Sequence, residues 1–328
     1  MRVAISEDGS DFVRRDWTEL VRADPSGTFF HSPAYLKLYW EEFGHDFDLL
    51  LAFAEDGERL AGACAFERAE HVLRFLGGTE VTDYMGPVAK GVDREAVAGT
   101  MIATLRSRDD WTSADLRNIP EDSPWLEALC EGAAAQGLQP LREEQDVCPY
   151  LELPPTWEEY LASLPSKLRH EIRRKSRRLE AERDGYRVVF STRGNLGDDL
   201  DRFVALHRSS EGTKGRFMRP GMEIFFRRLG ERFIEEGVFR LAFLEVGGEK
   251  IAGAIGFRYG RVFYLYNSGF DLAWRSLSPG MVLVGELIRA CIEERLTGFD
   301  MLKGGLEYKY RFGSRPRRLF RLWMDSSP

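Results

Sequence analysis

Three stretches of this 328-residue chain combine residue types in ways that could do chemistry. The first is Tyr264–Arg289. An apolar strand ends near Asn267, a polar loop runs from Ser268 to Leu277, and Ser278-Pro279-Gly280 opens a helix. Serine suits the N-cap and proline the first helical position. Val284, Leu287, Ile288 and Cys291 recur at i, i+3, i+4 and i+7, which marks one buried face. A strand, loop and helix with glycine at the helix start presents bare backbone N–H groups to an anion such as phosphate. An ordinary capped helix carries the same signature. The second stretch is Pro165–Arg183. Leu164, Leu168, Ile172 and Leu179 form an apolar stripe at helical spacing, and Arg169, Arg173 and Arg177 stand four apart as a basic ridge. Lys167, Arg174, Lys175 and Arg178 add to it against Glu171 and Glu180. A solvated amphipathic helix, an anion-binding face and a nucleic-acid contact all fit this pattern. The third stretch is the polar run that follows His207, with Lys214 and Arg216 in it. Histidine titrates near neutral pH and could be a general base; a structural helix-terminal histidine is the alternative.

The remaining composition narrows the classes. Lys plus Arg number 46 against 53 Asp plus Glu, for a net charge of −7, which argues against wholesale nucleic-acid binding while leaving room for a local basic patch. Cys64, Cys130, Cys148 and Cys291 are far apart with no Cys-x-x-Cys pair, and the five histidines have no metal-ligand spacing, so no metal is expected. The N-terminus lacks the apolar run of a signal peptide, and no stretch approaches the ~20 apolar residues needed to span a bilayer. A cytoplasmic location is the expectation.

The elements that must position these residues occur twice. Residues 51–66 read LAFAEDGERLAGACAF and residues 241–257 read LAFLEVGGEKIAGAIGF. Matching Leu-Ala-Phe with Leu-Ala-Phe gives an offset of 190, and matching Ala-Gly-Ala with Ala-Gly-Ala gives 191, which implies one extra turn residue in the second copy. Each segment reads as a hairpin, with strands Leu49–Ala54 and Phe239–Val246, turns at Asp56-Gly57 and Gly247-Gly248, and third strands His71–Leu76 and Arg261–Tyr266. Pro33–Phe43 and Pro220–Phe233 read as helices upstream of each hairpin, with a further helix near Arg94–Leu105. Leu-Pro-Pro-Thr near 153–156 breaks helix and strand alike and suggests a join there, giving domains 1–153 and 154–328. Helices on a mixed, mainly antiparallel sheet, twice over, make an α/β (α+β) architecture.

Arg275-Ser276-Leu277-Ser278-Pro279-Gly280 resembles the acyl-CoA-binding motif of the GNAT acetyltransferase superfamily, Arg/Gln-x-x-Gly-x-Gly/Ala, with Ser278 in place of the first glycine. Tyr308-Lys309-Tyr310-Arg311-Phe312-Gly313 is similar to the ending of the Fem-type branch, whose members are tandem GNAT units. Phe30-His31-Ser32-Pro33 and Asp83-Tyr84, taken with these motifs, resemble the CelD-like acetyltransferases of bacterial polysaccharide biosynthesis. The resemblance implies two tandem GNAT-like units, the first degenerate, and an acyltransferase taking acetyl-CoA or another acyl-CoA. It implies a donor cradle at Arg275, Ser278, Gly280 and Met281, with oxyanion N–H groups near Asn267, Ser268 and Gly269. Acyl transfer also needs a proton removed from the acceptor and one given to the leaving thiolate. Tyr308 and Tyr310 are candidate acids, Lys309 and Arg311 candidate stabilisers of negative charge, and Asp300 a base or a group that orients Lys309. His207 is a second candidate base. Asp83, Tyr84, Lys214 and Arg216 are candidates for binding a sugar- or peptide-type acceptor. Each also has a structural reading: a strand-end cap, core aromatics, a solvated cation.

Two other functions stay open. The basic stretch suits an aminoacyl-tRNA-dependent ligase, because some Fem-type enzymes use that donor. The missing glycine at Ser278 suits a non-catalytic module for an anionic sugar or peptide. The first copy lacks an Arg-x-x-x-x-Gly turn after its third strand, so the expected division is a donor site in the second copy and an acceptor wall from the first.

Overall fold

The computed structural model describes residues 1–182, 185–209 and 217–325. The chain divides into two compact units, 1–147 with 317–328 and 148–316. The expected join at 153/154 lies a few residues beyond that division, and the final strand belongs mostly to the first unit.

In the first unit β1 (Arg2–Ser6) is followed by helices α1 (Arg15–Ala23) and α2 (Pro33–Phe43). The hairpin β2 (Asp48–Asp56) and β3 (Arg59–Ala69) leads to β4 (Val72–Phe75) and the short β5 (Val88–Ala89) on β3. Then come α3 (Arg94–Arg106), β6 (Ser113–Pro120), α4 (Trp125–Ala135) and the first part of β7 (Leu141–Glu152). The second unit has α5 (Trp157–Ser163), α6 (Ser166–Glu180), β8 (Tyr186–Phe190), α7 (Leu196–Arg208), α8 (Pro220–Phe233) and strands β9 (Phe239–Val246), β10 (Glu249–Tyr259) and β11 (Val262–Phe270). It closes with α9 (Pro279–Glu293), β12 (Gly298–Asp300) and the one-turn α10 (Glu307–Tyr310), after which β13 (Arg315–Asp325) pairs with β6.

Each unit is a mostly antiparallel sheet flanked by helices. The order is β1-β2-β3-β4-β6-β13 in the first and β8-β9-β10-β11-β12-β7 in the second. The parallel pairs are β4 with β6 and β11 with β12. One core lies between the first sheet and α3 and α4; another lies between the second sheet and α5, α6 and α9. The helices start where capping allows. Ser32 Oγ accepts the Tyr35 N–H at 3.3 Å ahead of Pro33, and Asp93 accepts the Glu95 N–H at 2.9 Å ahead of α3. No helix among the described residues is long and apolar enough to cross a membrane.

The strand register makes the repeat closer than the tripeptides suggest, and corrects one of them. Asp56 pairs with Arg59 and Val246 with Glu249, so both hairpins have two-residue loops and neither copy carries an extra turn residue. Both returning strands are bulged at the same place, Ala61 in the first unit and Ile251 in the second. The offset is therefore 190 throughout, down to Phe66 opposite Phe75 and Gly256 opposite Leu265. The Ala-Gly-Ala match is one residue out of phase. Gly62 faces Val97 of α3, whereas Gly253 faces Phe203 of α7 on the other side of its sheet. A one-residue slip in a strand exchanges the two faces, so the two glycines answer different packing demands.

Candidate functional site

The site is built around β11. Up to Leu265 this strand alternates regularly, with Phe263 and Leu265 in the core under α9. Between its pairings of Leu265 with Gly256 and Asn267 with Ile255 it carries a β-bulge at Tyr266. Tyr266 packs on Phe226 of α8, with ring centroids 5.2 Å apart. Its neighbour Asn267 lies on the same face, where its Oδ1 is 2.9 Å from Nε2 of His207 in α7. Two consecutive residues on one face reverse the phase of everything after them. Ser268 and Phe270 therefore return to the α9 side. Phe270 packs on that core, and Ser268 forms a side-chain hydrogen bond with Tyr308 of α10.

The candidates thus separate onto two faces of one strand. On the α7 face, Asn267 Oδ1 accepts both the Ser268 N–H, at 3.0 Å, and the imidazole N–H of His207. The Ser268 N–H is therefore already engaged. His207 is fully buried, packed against Phe203 and Phe217. Gly269 is pressed against α7: a Cβ there would stand 2.7 Å from the backbone N of His207 and 2.8 Å from its Cα. Helix packing alone accounts for that glycine.

On the α9 face, Tyr308 packs against the same core as Phe270, Trp274, Leu277 and Met281. Burial raises its phenol pKa above the ordinary value, partly offset by the Ser268 hydrogen bond. Leu272–Leu277 forms a 3-10 turn, and Ser278 is left-handed at φ 55°, ψ 51°. That is the conformation glycine adopts without steric cost, so the backbone keeps a glycine-like turn although the residue is serine. Pro279 brings no N–H, and Gly280 sits in the first turn of α9 with Phe270 at 3.4 Å from where a Cβ would be. The N–H groups of Met281 and Val282 both turn back to the Ser278 carbonyl, at 3.0 and 3.2 Å. Arg275 is exposed, and Met281 is half-buried beside Trp157 and Gly285.

Asp300 and Lys309 are both buried and both brace one turn. Asp300 accepts the Leu302 N–H at 2.8 Å, while the Lys309 ammonium donates to the Leu302 and Lys303 carbonyls, each at 2.8 Å. Leu302 is left-handed at φ 53°, which these bonds help to hold. The parallel-strand register also gives Asp300 a counterpart: Asp300 opposite Tyr264 matches Asp115 opposite Arg74 in the first unit. Asp115 is buried too, and its carboxyl is held below the usual range by Arg117 and Arg321 against the opposing effect of burial. A buried aspartate at this strand end thus belongs to the architecture of both units.

The basic stretch forms α6, with Ile172 and Leu179 buried and Arg173, Arg174, Arg177 and Arg178 exposed. Between its first half and α10 lies an open cleft of about 540 Å³, lined by Lys167, Leu168, His170 and Arg174 on one side and Glu307 and Arg311 on the other. Arg311 bridges Glu307 at 2.9 Å and Glu171 of α6 at 3.4 Å. His170 and Glu307 were not singled out in the sequence; their only signal is spacing, His170 three residues after Lys167 and Glu307 four before Arg311. In the first unit Asp83 and Tyr84 are buried, with the Arg317 guanidinium 5.1 Å from the Tyr84 ring centroid. Lys214 and Arg216 lie outside the described residues. Among the described residues no group of three or more His, Cys, Asp or Glu is placed to hold a metal ion.

Residues 166–310, which hold the second unit's candidates except Arg311, match the family model described as an acetyltransferase (GNAT) domain. The second unit therefore carries a GNAT-type acetyltransferase domain, and the chain is an acyltransferase by that domain. No curated protein matches the sequence. Among solved structures the chain is similar to FemX, with TM-score 0.66 and 10% identity over 98% of this chain and 97% of that one. It is also similar to the C-terminal domain of a putative lysylphosphatidylglycerol synthetase from Agrobacterium fabrum, with TM-score 0.61 and 13% identity over 98% and 93% of the two chains. A tandem GNAT protein from the clavulanic acid biosynthesis pathway superposes with TM-score 0.53 and 11% identity over 100% and 99%. At such identities the likeness is one of fold.

Proposed function

We propose that this chain is a cytoplasmic acyltransferase of the Fem/CelD-like kind, moving an acyl group, acetyl in the simplest case, from an acyl-CoA to an amine or hydroxyl of a sugar- or peptide-type acceptor. The observation that carries this reading is the meeting of Ser268 and Tyr308 on the face of β11 that also holds Phe270 against Gly280. An acyl-CoA supplies a thioester carbonyl and a thiolate leaving group. The residues at the start of α9 fit its pyrophosphate, because Ser278 holds the glycine-like turn and Gly280 keeps the approach to the backbone free of a side chain. Arg275, exposed at the rim, adds positive charge. Tyr308 is the proton donor. A tyrosine is protonated at neutral pH at its ordinary pKa and burial only raises that value, so Tyr308 stands ready to give a proton and not to take one. Ser268 orients it. Asp300 and Lys309 hold the turn that precedes α10 and so fix where Tyr308 stands. Asn267, Gly269 and His207 position β11 against α7.

Calorimetric titration with acetyl-CoA and with longer acyl-CoAs tests the donor. Heat that saturates with at least one of them, and that weakens in Gly280→Val, is expected; no binding to any acyl-CoA removes the reading. An aminoacyl-tRNA donor is the second reading. It is favoured by the density of cations on α6 and by the fold likeness to FemX and to the lysylphosphatidylglycerol synthetase domain. It requires an RNA mobility shift at low salt that disappears steeply as salt is added.

A further inference from the structure

The cleft between α6 and α10 is not used by the acyl-transfer chemistry above, yet one of its walls is the basic helix. Helix α6 carries seven cationic side chains against Glu171 and Glu180, in a chain whose net charge is −7. Lys167, His170 and Arg174 stand at i, i+3 and i+7, a single stripe that faces Glu307 and Arg311 across the cleft. The two carboxylates in the lining are already engaged. Glu171 accepts from Lys175 at 3.0 Å and from Arg311 at 3.4 Å, and the Lys175 bond holds its carboxyl below the usual range. Glu307 is taken by Arg311 at 2.9 Å. Lys167 and Arg174 have no ion pair within 4 Å among the described residues, although the Arg174 charge acts on Glu171 from further off, so the cleft presents one ammonium and one guanidinium without a close salt-bridge partner.

We propose that this cleft binds a phosphate group carried by one of the two substrates. A point charge and a planar fork on the same wall suit the several oxygens of a phosphate, and Leu168 gives the adjoining part of the ligand an apolar floor. The volume of about 540 Å³ is that of a small-molecule site. An extended RNA backbone fits less well, because Glu307, its side chain 85% exposed, stands on the wall such a strand would follow. The position is also suitable. The wall formed by α10 carries Tyr308, and α6 packs along the Leu272–Leu277 turn that leads to Gly280. A phosphate held here therefore anchors a substrate beside the reacting centre. The phosphate comes either from the nucleotide end of the donor or from a phosphorylated acceptor, and only the first source rests on the acyl-CoA reading.

The experiment is calorimetry on the full chain at low salt. The probes are adenosine 3′,5′-bisphosphate, CoA, 3′-dephospho-CoA and glucosamine 1-phosphate. The proteins are the wild type, the double variant K167A/R174A, and R178A as a control on the same helix away from the cleft. Both substituted side chains are exposed, and an unchanged circular dichroism melt confirms the fold. Loss of two charge-assisted contacts should weaken the responding probe by about tenfold to hundredfold in the double variant, with no change in R178A. If the wild type prefers CoA to 3′-dephospho-CoA and the double variant does not, the phosphate is the donor's. If only glucosamine 1-phosphate responds, it is the acceptor's, and the cleft stands even where no acyl-CoA binds. Equal affinity of wild type and double variant for every probe overturns the proposal, and CoA binding that survives in that case leaves the acyl-transfer reading intact. A response to RNA alone overturns it as well.

Discussion

Gly269 and Gly280 lie eleven residues apart on the same strand-turn-helix, and the structure gives them opposite reasons for being glycine. A methyl group at Gly269 would stand 2.7 Å from the backbone N of His207, 2.8 Å from its Cα and 2.8 Å from the carbonyl carbon of Leu206. These are backbone atoms of a buried helix and cannot swing aside, so α7 must move by several tenths of an ångström. Overpacking of that kind costs about 1–3 kcal/mol, and breaking the Asn267–His207 hydrogen bond adds about 1 kcal/mol. At roughly 2–4 °C per kcal/mol for a unit of this size, Gly269→Ala should melt about 4–16 °C below the wild type. Gly280→Ala meets Phe270 at 3.4 Å, an ordinary contact, and alanine is the better helix former by up to about 1 kcal/mol. Its melting temperature should hold or rise slightly, while its affinity for acetyl-CoA falls because the methyl group stands between the backbone and the pyrophosphate. Scanning calorimetry reads the first effect and titration the second. An unshifted melt in Gly269→Ala would show that α7 is not seated on β11 as described. Undiminished acetyl-CoA binding in Gly280→Ala would refute the cradle at the start of α9.

Tyr308→Phe keeps the ring and removes the proposed proton donor, so turnover of a bound acyl-CoA should fall about a hundredfold or more with a stability loss near 1 kcal/mol; equal turnover would exclude Tyr308 as the acid. Lys309→Met strips the donor from the Leu302 and Lys303 carbonyls and should cost about 2–4 kcal/mol in urea unfolding. In the first unit, burial lowers the His31 pKa from 6.5 to about 4, so His31 contributes stability above pH 6.5 that is lost as pH falls toward 4. Burial raises the Glu67 pKa from 4.5 to about 7, so Glu67 contributes in the reverse sense, with stability present below pH 4.5 and lost as pH rises toward 7. Each effect is worth about 3 kcal/mol at full extent, and they oppose one another where the two ranges overlap. His31→Gln should therefore leave a stability that falls with rising pH there, and Glu67→Gln one that climbs. Denaturant titrations between pH 4.5 and 7.5 check both signs.

What the sequence determined by itself was local. Pro33–Phe43 and Pro220–Phe233 were legible as helices because proline at the first position and the apolar spacing are properties of a single turn. The hairpin Phe239–Val246 was legible because its turn glycines and apolar run lie next to each other in the chain. The basic ridge and apolar stripe of α6 followed from periodicity alone. What only the tertiary structure decided depends on registration between strands far apart in the chain. The Ala-Gly-Ala identity pointed to the wrong phase, because pairing across the hairpin, and not composition, decides which face a residue takes. The last strand, β13, pairs with β6 of the first unit, although it follows the second in sequence. The bulge at Tyr266 is the deciding case. Nothing in Tyr264–Phe270 announces one additional residue in the strand, yet that residue turns Ser268 away from His207 and toward Tyr308. The residue types for acyl transfer could be found in the sequence, but which of them meet was settled by a hydrogen-bond register that exists only in the folded sheet.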